Sequence, residues 1–241
     1  MALKNNLSVR WEDENLVVCD KPAGLLSIPD REQSEPSLKD LLRDLYGNIW
    51  TVHRLDRETS GLIVFAKTEA AHAFLSKQFE ERSTRKWYHG LVMGRPLQEE
   101  GTVDQAILEH PVKKGSMVIH AKGKSAITHY QVLTHYHAYT LMEFEILTGR
   151  THQIRVHSQF LGTPIVCDPL YGDGQPLLLS AVKRKFKLGK DVLEERPLLA
   201  RTALHAYRLQ IQHPDGTEMQ WEAPYPKDLR ATLQQLDKWG K

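Results

Sequence analysis

The run HRLDRETSG, residues 53–61, places Asp56 between Arg54 and Arg57, and it is the first stretch whose residue types could do chemistry. Guanidinium groups near a carboxylate favour its ionised form and can pair with it through two parallel hydrogen bonds. Residue chemistry alone favours a surface ion-pair cluster over a catalytic carboxylate, because structural ion pairs perturb carboxylates too. A second constellation is TGRTHQIRVH, residues 148–157, in which Thr151 is expected to cap a helix and Arg150, His152, Arg155 and His157 cluster about its start. A helix start gathers N–H donors and positive dipole, which suits an anionic partner. Arg155 is the best-placed partner for Asp56. The alternative is an amphipathic helix with Ile154, Val156 and Phe160 in a core. His152 and His157 are five apart and share no helical face, which argues against zinc.

Tyr88, in KWYHGLVMG, could offer its ring to a base or simply fill a sheet core. Basic patches are the remaining signal. Lys113, Lys114, Lys122 and Lys124 bracket one hairpin, and Lys183, Arg184, Lys185, Lys187 and Lys190 crowd another segment. Either could neutralise phosphates, or be a solvated turn.

These residues need elements to hold them. Leu16–Cys19 reads as a strand ending in the turn DKPAG. Ser37, with Asp40 three residues on and Leu38, Leu41, Leu42 and Leu45 on one face, predicts a helix over 38–46 that Gly47 stops. The charged run around Asp56 is a loop entering a buried strand, GLIVFAKT. A helix follows over 69–81, then a strand through WYHGLVMG, then a meander of strands from 103 to 147. The helix HQIRVHSQFL ends at Gly162, which is expected in the left-handed region. Residues 174–197 form a Leu-rich, then basic, then acidic excursion. Strands near LHAYRLQI and EMQWEA and a helix from Lys227 to Trp239 complete the chain. Strands outnumber helices without regular βαβ alternation, so the fold class is α+β: a mixed, largely antiparallel central sheet with flanking helices. One domain, residues 1–241, is expected, with a basic insertion near 174–197.

Thirty-two Lys and Arg against thirty Asp and Glu leave a net charge of +2, too balanced for total charge to announce a nucleic-acid partner. Cys19 and Cys167 are the cysteines, in no metal or disulfide spacing. With no signal-like or membrane-length apolar run, a cytoplasmic protein with no membrane contact is expected. No phosphate-loop or dinucleotide pattern and no Cys/His cluster occurs, so no metal and no cofactor is expected.

Taken together, VVCDKPAGLLSIP, HRLDRETSGLIVFAK, KWYHGLVMG and TGRTHQIRVH with GTPIVCDPLYG resemble, in order, the motifs of the RluA-type family of pseudouridine synthases, from about Trp11 to Pro224. The resemblance implies isomerisation of selected uridines in RNA. Asp56 would be the essential aspartate, Tyr88 the aromatic residue on the target uracil and Arg155 the residue pairing with Asp56. It implies the catalytic domain without the S4-type module many members carry ahead of it. Cys167 stands where a glycine usually precedes the Asp of the last motif. The reaction needs the uridine extruded into a pocket, so the expected partner is RNA, ribosomal or transfer, with an unpaired loop base as target. The protein is expected to act as a monomer. Arg54, Arg57, Arg150, His152, Lys183, Arg184, Lys185 and Lys187 are the candidate RNA contacts. A non-catalytic RNA-binding protein would have been signalled by loss of Asp56, and a glycoside-type hydrolase needs a second carboxylate at defined spacing, which is not found.

Overall fold

The computed structural model describes residues 8–187 and 194–241; Lys190 lies outside the described residues. Two compact units divide the chain: Met1–Tyr88 with His205–Pro224, and His89–Leu204 with Tyr225–Lys241.

In the first unit, β1 (Ser8–Glu12) pairs antiparallel with β2 (Leu16–Lys21), which is buried through most of its length. Helix α1 (Leu38–Tyr46) begins with the capping box expected at Ser37 and Asp40, each side chain accepting the other's backbone N–H. A short β3 (Trp50–Thr51) precedes β4 (Ser60–Ala66), whose residues are all buried, as its apolar run predicts. Helix α2 (Glu69–Glu81), capped by Thr68, turns its Ala71 and Leu75 into the core. Strand β5 (Arg85–Met93) then carries the chain from this unit into the second. The order β1-β2-β4 continues to β11 (Leu204–Gln212), with β12 (Glu218–Glu222) antiparallel on β11 and β3 antiparallel on β4. The β4–β11 pairing is parallel, which makes the sheet mixed. Leu16, Val18, Leu62, Val64, Leu75, Leu209 and Ile211 form the core, with Trp11, Trp50 and Trp221 packed at its margin.

The entry to β4 is unusually close to β11. Gly61 has φ +112, and a Cβ there would lie 2.2 Å from the Ala206 carbonyl oxygen. Beside it, buried His205 accepts from Ser60 Oγ at Nδ1 (3.0 Å) and donates from Nε2 to the Ala223 carbonyl (3.2 Å). Gly61→Ala combines backbone strain with overpacking and is expected to cost about 2–5 kcal/mol. Urea unfolding would show it as a lowered midpoint.

In the second unit, β6 (Glu100–Asp104), β9 (Ile127–His135) and β10 (Tyr139–Ile146) lie in the order β6-β9-β10, antiparallel throughout. A small hairpin, β7 (Ile107–Glu109) with β8 (Met117–Ile119), stands apart. Helix α3 (Gln153–Phe160) packs on β8 and β9, and α4 (Lys227–Trp239) closes the chain. The expected left-handed Gly162 is present, at φ +74.

Two sequence readings of α3 need correction. Its N-cap is His152, left-handed at φ 55, and not Thr151. No side chain caps the helix; Gln153 instead braces the turn before it, its Oε1 accepting from the Arg150 N–H at 3.0 Å and from Thr148 Oγ1 at 2.6 Å. The amphipathic alternative is also met only in part: Gln153 to Ser158 are all buried, Ile154 and Val156 among them, while Phe160, which that alternative put in the core, is 56% exposed.

Candidate active site

Asp56 sits on the loop that enters β4, partly buried. Its neighbours in sequence are clamped from both sides by the turn after β2. Ser27 Oγ donates to the Leu55 carbonyl at 2.8 Å and accepts the Leu55 N–H at 3.0 Å. On the other side, the Arg57 carbonyl accepts from Gly24 N–H (2.9 Å) and from Lys21 Nζ (2.9 Å). Lys21 is fully buried, and its ammonium also donates to the carbonyls of Leu25 (2.7 Å) and Pro22 (3.0 Å). A buried ammonium is tolerable only when its donors are met, and here three carbonyls meet them. Asp56 is therefore presented on backbone fixed at both adjoining residues, the preorganisation a positioned nucleophile needs. Lys21→Met would leave three carbonyls short of a donor and is expected to destabilise the protein by about 3 kcal/mol. Thermal unfolding together with turnover would register both the lost stability and the loosened loop.

The loop's start is anchored on α2. His53 stacks on Phe79 with ring centroids 4.7 Å apart, and its Nε2 accepts the Val64 N–H at 3.1 Å. Burial, helped by the charge of Lys86, holds its pKa down at about 3. The unfolded chain binds a proton near pH 6.5 that the folded one refuses until about 3. Stability must then fall as pH drops through that window. His53→Gln should flatten this part of the stability profile, read as urea midpoints against pH.

The flanking arginines do not play the part expected from their spacing. Arg57 forks onto Glu35 (2.8 and 3.1 Å) and donates Nε to the Gly24 carbonyl (3.0 Å), bracing the turn. Arg54 is exposed. Tyr88 on β5 is 7% exposed. Burial first, and the charge of Asp56 second, push its phenol above the ordinary range. Asp56 and Tyr88, both singled out from sequence, are thus close enough to interact electrostatically.

In the second unit Arg155 is buried and forks onto Asp168, with Nε–Oδ2 at 2.6 Å and Nη2–Oδ1 at 2.8 Å. Asp168 is fully buried and also accepts the N–H groups of Leu170 (2.9 Å) and Tyr171 (3.2 Å). The Tyr171 ring lies 5.0 Å from the Arg155 guanidinium carbon, and its hydroxyl accepts the Met117 N–H (2.7 Å) and meets His152 Nδ1 (2.8 Å). The fork takes the Nε–Nη2 edge of a group that carries five N–H donors, and it fixes the guanidinium plane. Asp168 and Tyr171 lie in the stretch DPLYG, but their roles as holders of Arg155 were not apparent in the sequence. The only hint was an acidic and an aromatic residue after a turn that follows α3.

Other candidates are dispersed. Arg150 is partly buried and donates Nε to the Ser125 carbonyl at 3.0 Å. His157 is structural: burial lowers its pKa, and it donates Nε2 to the Gln105 carbonyl (3.0 Å) while Nδ1 accepts from Thr128 Oγ1 (2.8 Å). Lys113, Lys114, Lys122, Lys124, Arg184, Lys185 and Lys187 are exposed, and Lys183 is partly so. Both cysteines are free and buried, with burial raising Cys19 to about 12 and Cys167 to about 11. Cys167 has φ +59, which explains why glycine is the easier residue there. Among the described residues no group of three or more His, Cys, Asp or Glu could hold a metal, and no helix is long and apolar enough to cross a membrane.

Comparison with known proteins bears directly on this arrangement. The sequence model of the family described as RNA pseudouridylate synthase matches residues 15–160. Ribosomal large subunit pseudouridine synthase D of Nitrosomonas europaea is 38% identical over 239 residues, covering 95% of this chain and 65% of that protein. The chain thus spans about two thirds of that relative's length. The protein of the same name from Pseudomonas aeruginosa is 38% identical, with 95% and 71% covered. Among solved structures, human RNA pseudouridylate synthase domain containing 4 superposes with a TM-score of 0.73 at 27% identity, covering 98% of this chain and 94% of that one. Its domain containing 1 counterpart gives 0.71 at 26% identity, with 92% and 84% covered. These likenesses bear out the α+β reading. With the loop of Asp56, the strand of Tyr88 and the start of α3 all falling inside the matched segment, the chain belongs to the RNA pseudouridylate synthase family.

Proposed function

We propose that this protein isomerises a uridine of ribosomal RNA to pseudouridine, with Asp56 as nucleophile. Membership of the family supplies the reaction class, and the names of the bacterial relatives point to ribosomal RNA. The observation that carries the residue assignment is the presentation of Asp56 on a loop fixed by Lys21, Gly24 and Ser27, with its charge felt by buried Tyr88.

A uridine stacked in RNA hides its glycosidic bond, so it must be extruded before reaction. In this reading Tyr88 provides the face on which the uracil rests. Asp56 attacks C6 of the uracil or C1′ of the ribose, the C1′–N1 bond breaks, the base turns, C1′–C5 forms, and the bond to Asp56 breaks to return the free carboxylate. Loss of the C5 proton, assisted by Tyr88, restores the aromatic ring. The C5 proton goes to solvent and N1 takes one up, so product and substrate have the same composition and the reaction calls for no redox partner or transferred group. Arg155, its plane set by Asp168, supplies the positive charge that faces Asp56 beneath the base. Arg54 fills the gap left by the flipped base, and Arg57, Arg150, His152, Lys183, Arg184, Lys185 and Lys187 contact the RNA backbone. The protein works as a monomer in the cytoplasm.

Mapping pseudouridines in total RNA from cells with and without the gene tests the substrate. Loss of a ribosomal site, restored by the wild-type gene and not by an Asp56→Ala gene, is the expected result. An unchanged ribosomal map would overturn the substrate assignment.

A further inference from the structure

Within the second unit, a groove of about 470 Å³ is lined by the segment Ser180–Arg184 and the C-terminal end of α4, together with His137 and Tyr139. Lys183 and Arg184 line one side and Lys238, Trp239 and Lys241 the other. Trp239 is 41% exposed, and the ammonium groups of Lys183 and Lys238 stand 4.8 and 4.9 Å from its ring centroids. Asp237 is the acidic neighbour, bound to Lys241 at 3.2 Å and to the Tyr136 hydroxyl at 3.2 Å.

Cations at a helix C-terminus complement its dipole, and that accounts for Lys238 and Lys241. It does not account for Lys183 and Arg184, which arrive from a different segment, nor for an indole left exposed among them. An exposed aromatic ring with lysine ammonium groups against it is the combination that holds single-stranded nucleic acid: the base stacks on the ring in their place, and the cations reach the adjoining phosphates. The volume lies within the usual range for small-ligand sites. We propose that this groove binds one unpaired nucleotide of the RNA substrate, its base on Trp239 and its flanking phosphates on Lys183, Arg184, Lys238 and Lys241. The proposal rests on RNA being the substrate and adds a docking point away in sequence from the Asp56 loop. It gives the basic excursion a second task, since Lys183 and Arg184 work there with residues near the end of the chain.

The probe is a fluorescein-labelled ten-nucleotide oligouridylate, titrated by anisotropy against the full chain at several salt concentrations. Trp239→Ala should weaken binding about tenfold, and Trp239→Phe, which keeps a stacking face, should restore most of it. The pair Lys183→Ala and Arg184→Ala should lower the slope of log K against log salt by about 0.7 for each charge removed. Equal affinity for wild type and Trp239→Ala, or an unaltered salt slope in the double variant, would overturn the proposal. So would a labelled ten-residue polyglutamate that binds in a Trp239-dependent way where the oligonucleotide does not, since it would mark a site for acidic peptide. Tritium release from [5-³H]uridine RNA is read on the same wild-type preparation. Release without Trp239-dependent binding sinks the groove alone; Trp239-dependent binding without release upholds the groove and removes the isomerase reading.

Discussion

Asp56→Asn is expected to lower turnover by about 10⁴-fold or more while leaving the fold and the affinity for RNA within a few-fold of wild type. The asparagine is isosteric but lacks the charge and lone-pair nucleophilicity on which attack depends. Structure should survive because the loop is held by residues on either side. Leu55 is gripped by Ser27, Arg57 by Lys21 and Gly24, and the turn is closed by the Thr59 N–H on the Asp56 carbonyl at 3.1 Å. Asp56→Glu keeps the charge but displaces it by about a carbon–carbon bond, and a misplacement of roughly 1 Å costs about 10²-fold. The order wild type, then Glu, then Asn, measured by single-turnover kinetics at saturating enzyme, would assign the nucleophile. Asn matching wild type would place the reacting group elsewhere.

Asp168→Ala should be the most disruptive substitution outside the loop of Asp56. Removing one member of a buried ion pair strands the other, typically at a cost of about 3–5 kcal/mol, and the N–H groups of Leu170 and Tyr171 lose their acceptor as well. A guanidinium released from its fork also loses its orientation, so a fall in kcat of about 10²-fold is expected in the fraction that stays folded. Asp168→Asn keeps the shape and one acceptor oxygen and should recover much of the stability but less of the activity, because the charge that balances Arg155 is gone. Thermal unfolding and kcat measured on both variants separate the two effects. An Asp168→Asn enzyme with full activity would show that the buried charge does not matter to Arg155.

What could be read from the sequence depended on whether the signal was local. The box at Ser37 and Asp40, the alternation from apolar to helical spacing around β4 and α2, and the glycine at 162 are written in neighbouring letters, and the structure follows them. Asp56 and Tyr88 were singled out through their motifs, and the charge of Asp56 reaches the Tyr88 phenol. Lys21 was not, because its partners are backbone carbonyls, which leave no trace in residue type. Asp168 lies thirteen residues beyond Arg155, past the end of a helix, where no periodicity links the two. The spacing rule that pointed Arg57 at Asp56 failed because Glu35, distant in sequence, offers it a two-oxygen partner. Phe160 satisfied the helical pattern, yet α3 turns its final residue outward.

The central claim is that this chain breaks and remakes the bond between uracil and ribose, and that Asp56 does it. Release of tritium from [5-³H]uridine in ribosomal RNA reports the step in which C5 exchanges its hydrogen for C1′. Wild type is predicted to release one tritium for each pseudouridine formed, and Asp56→Ala none above background. No release by wild type, or undiminished release by Asp56→Ala, would contradict the account.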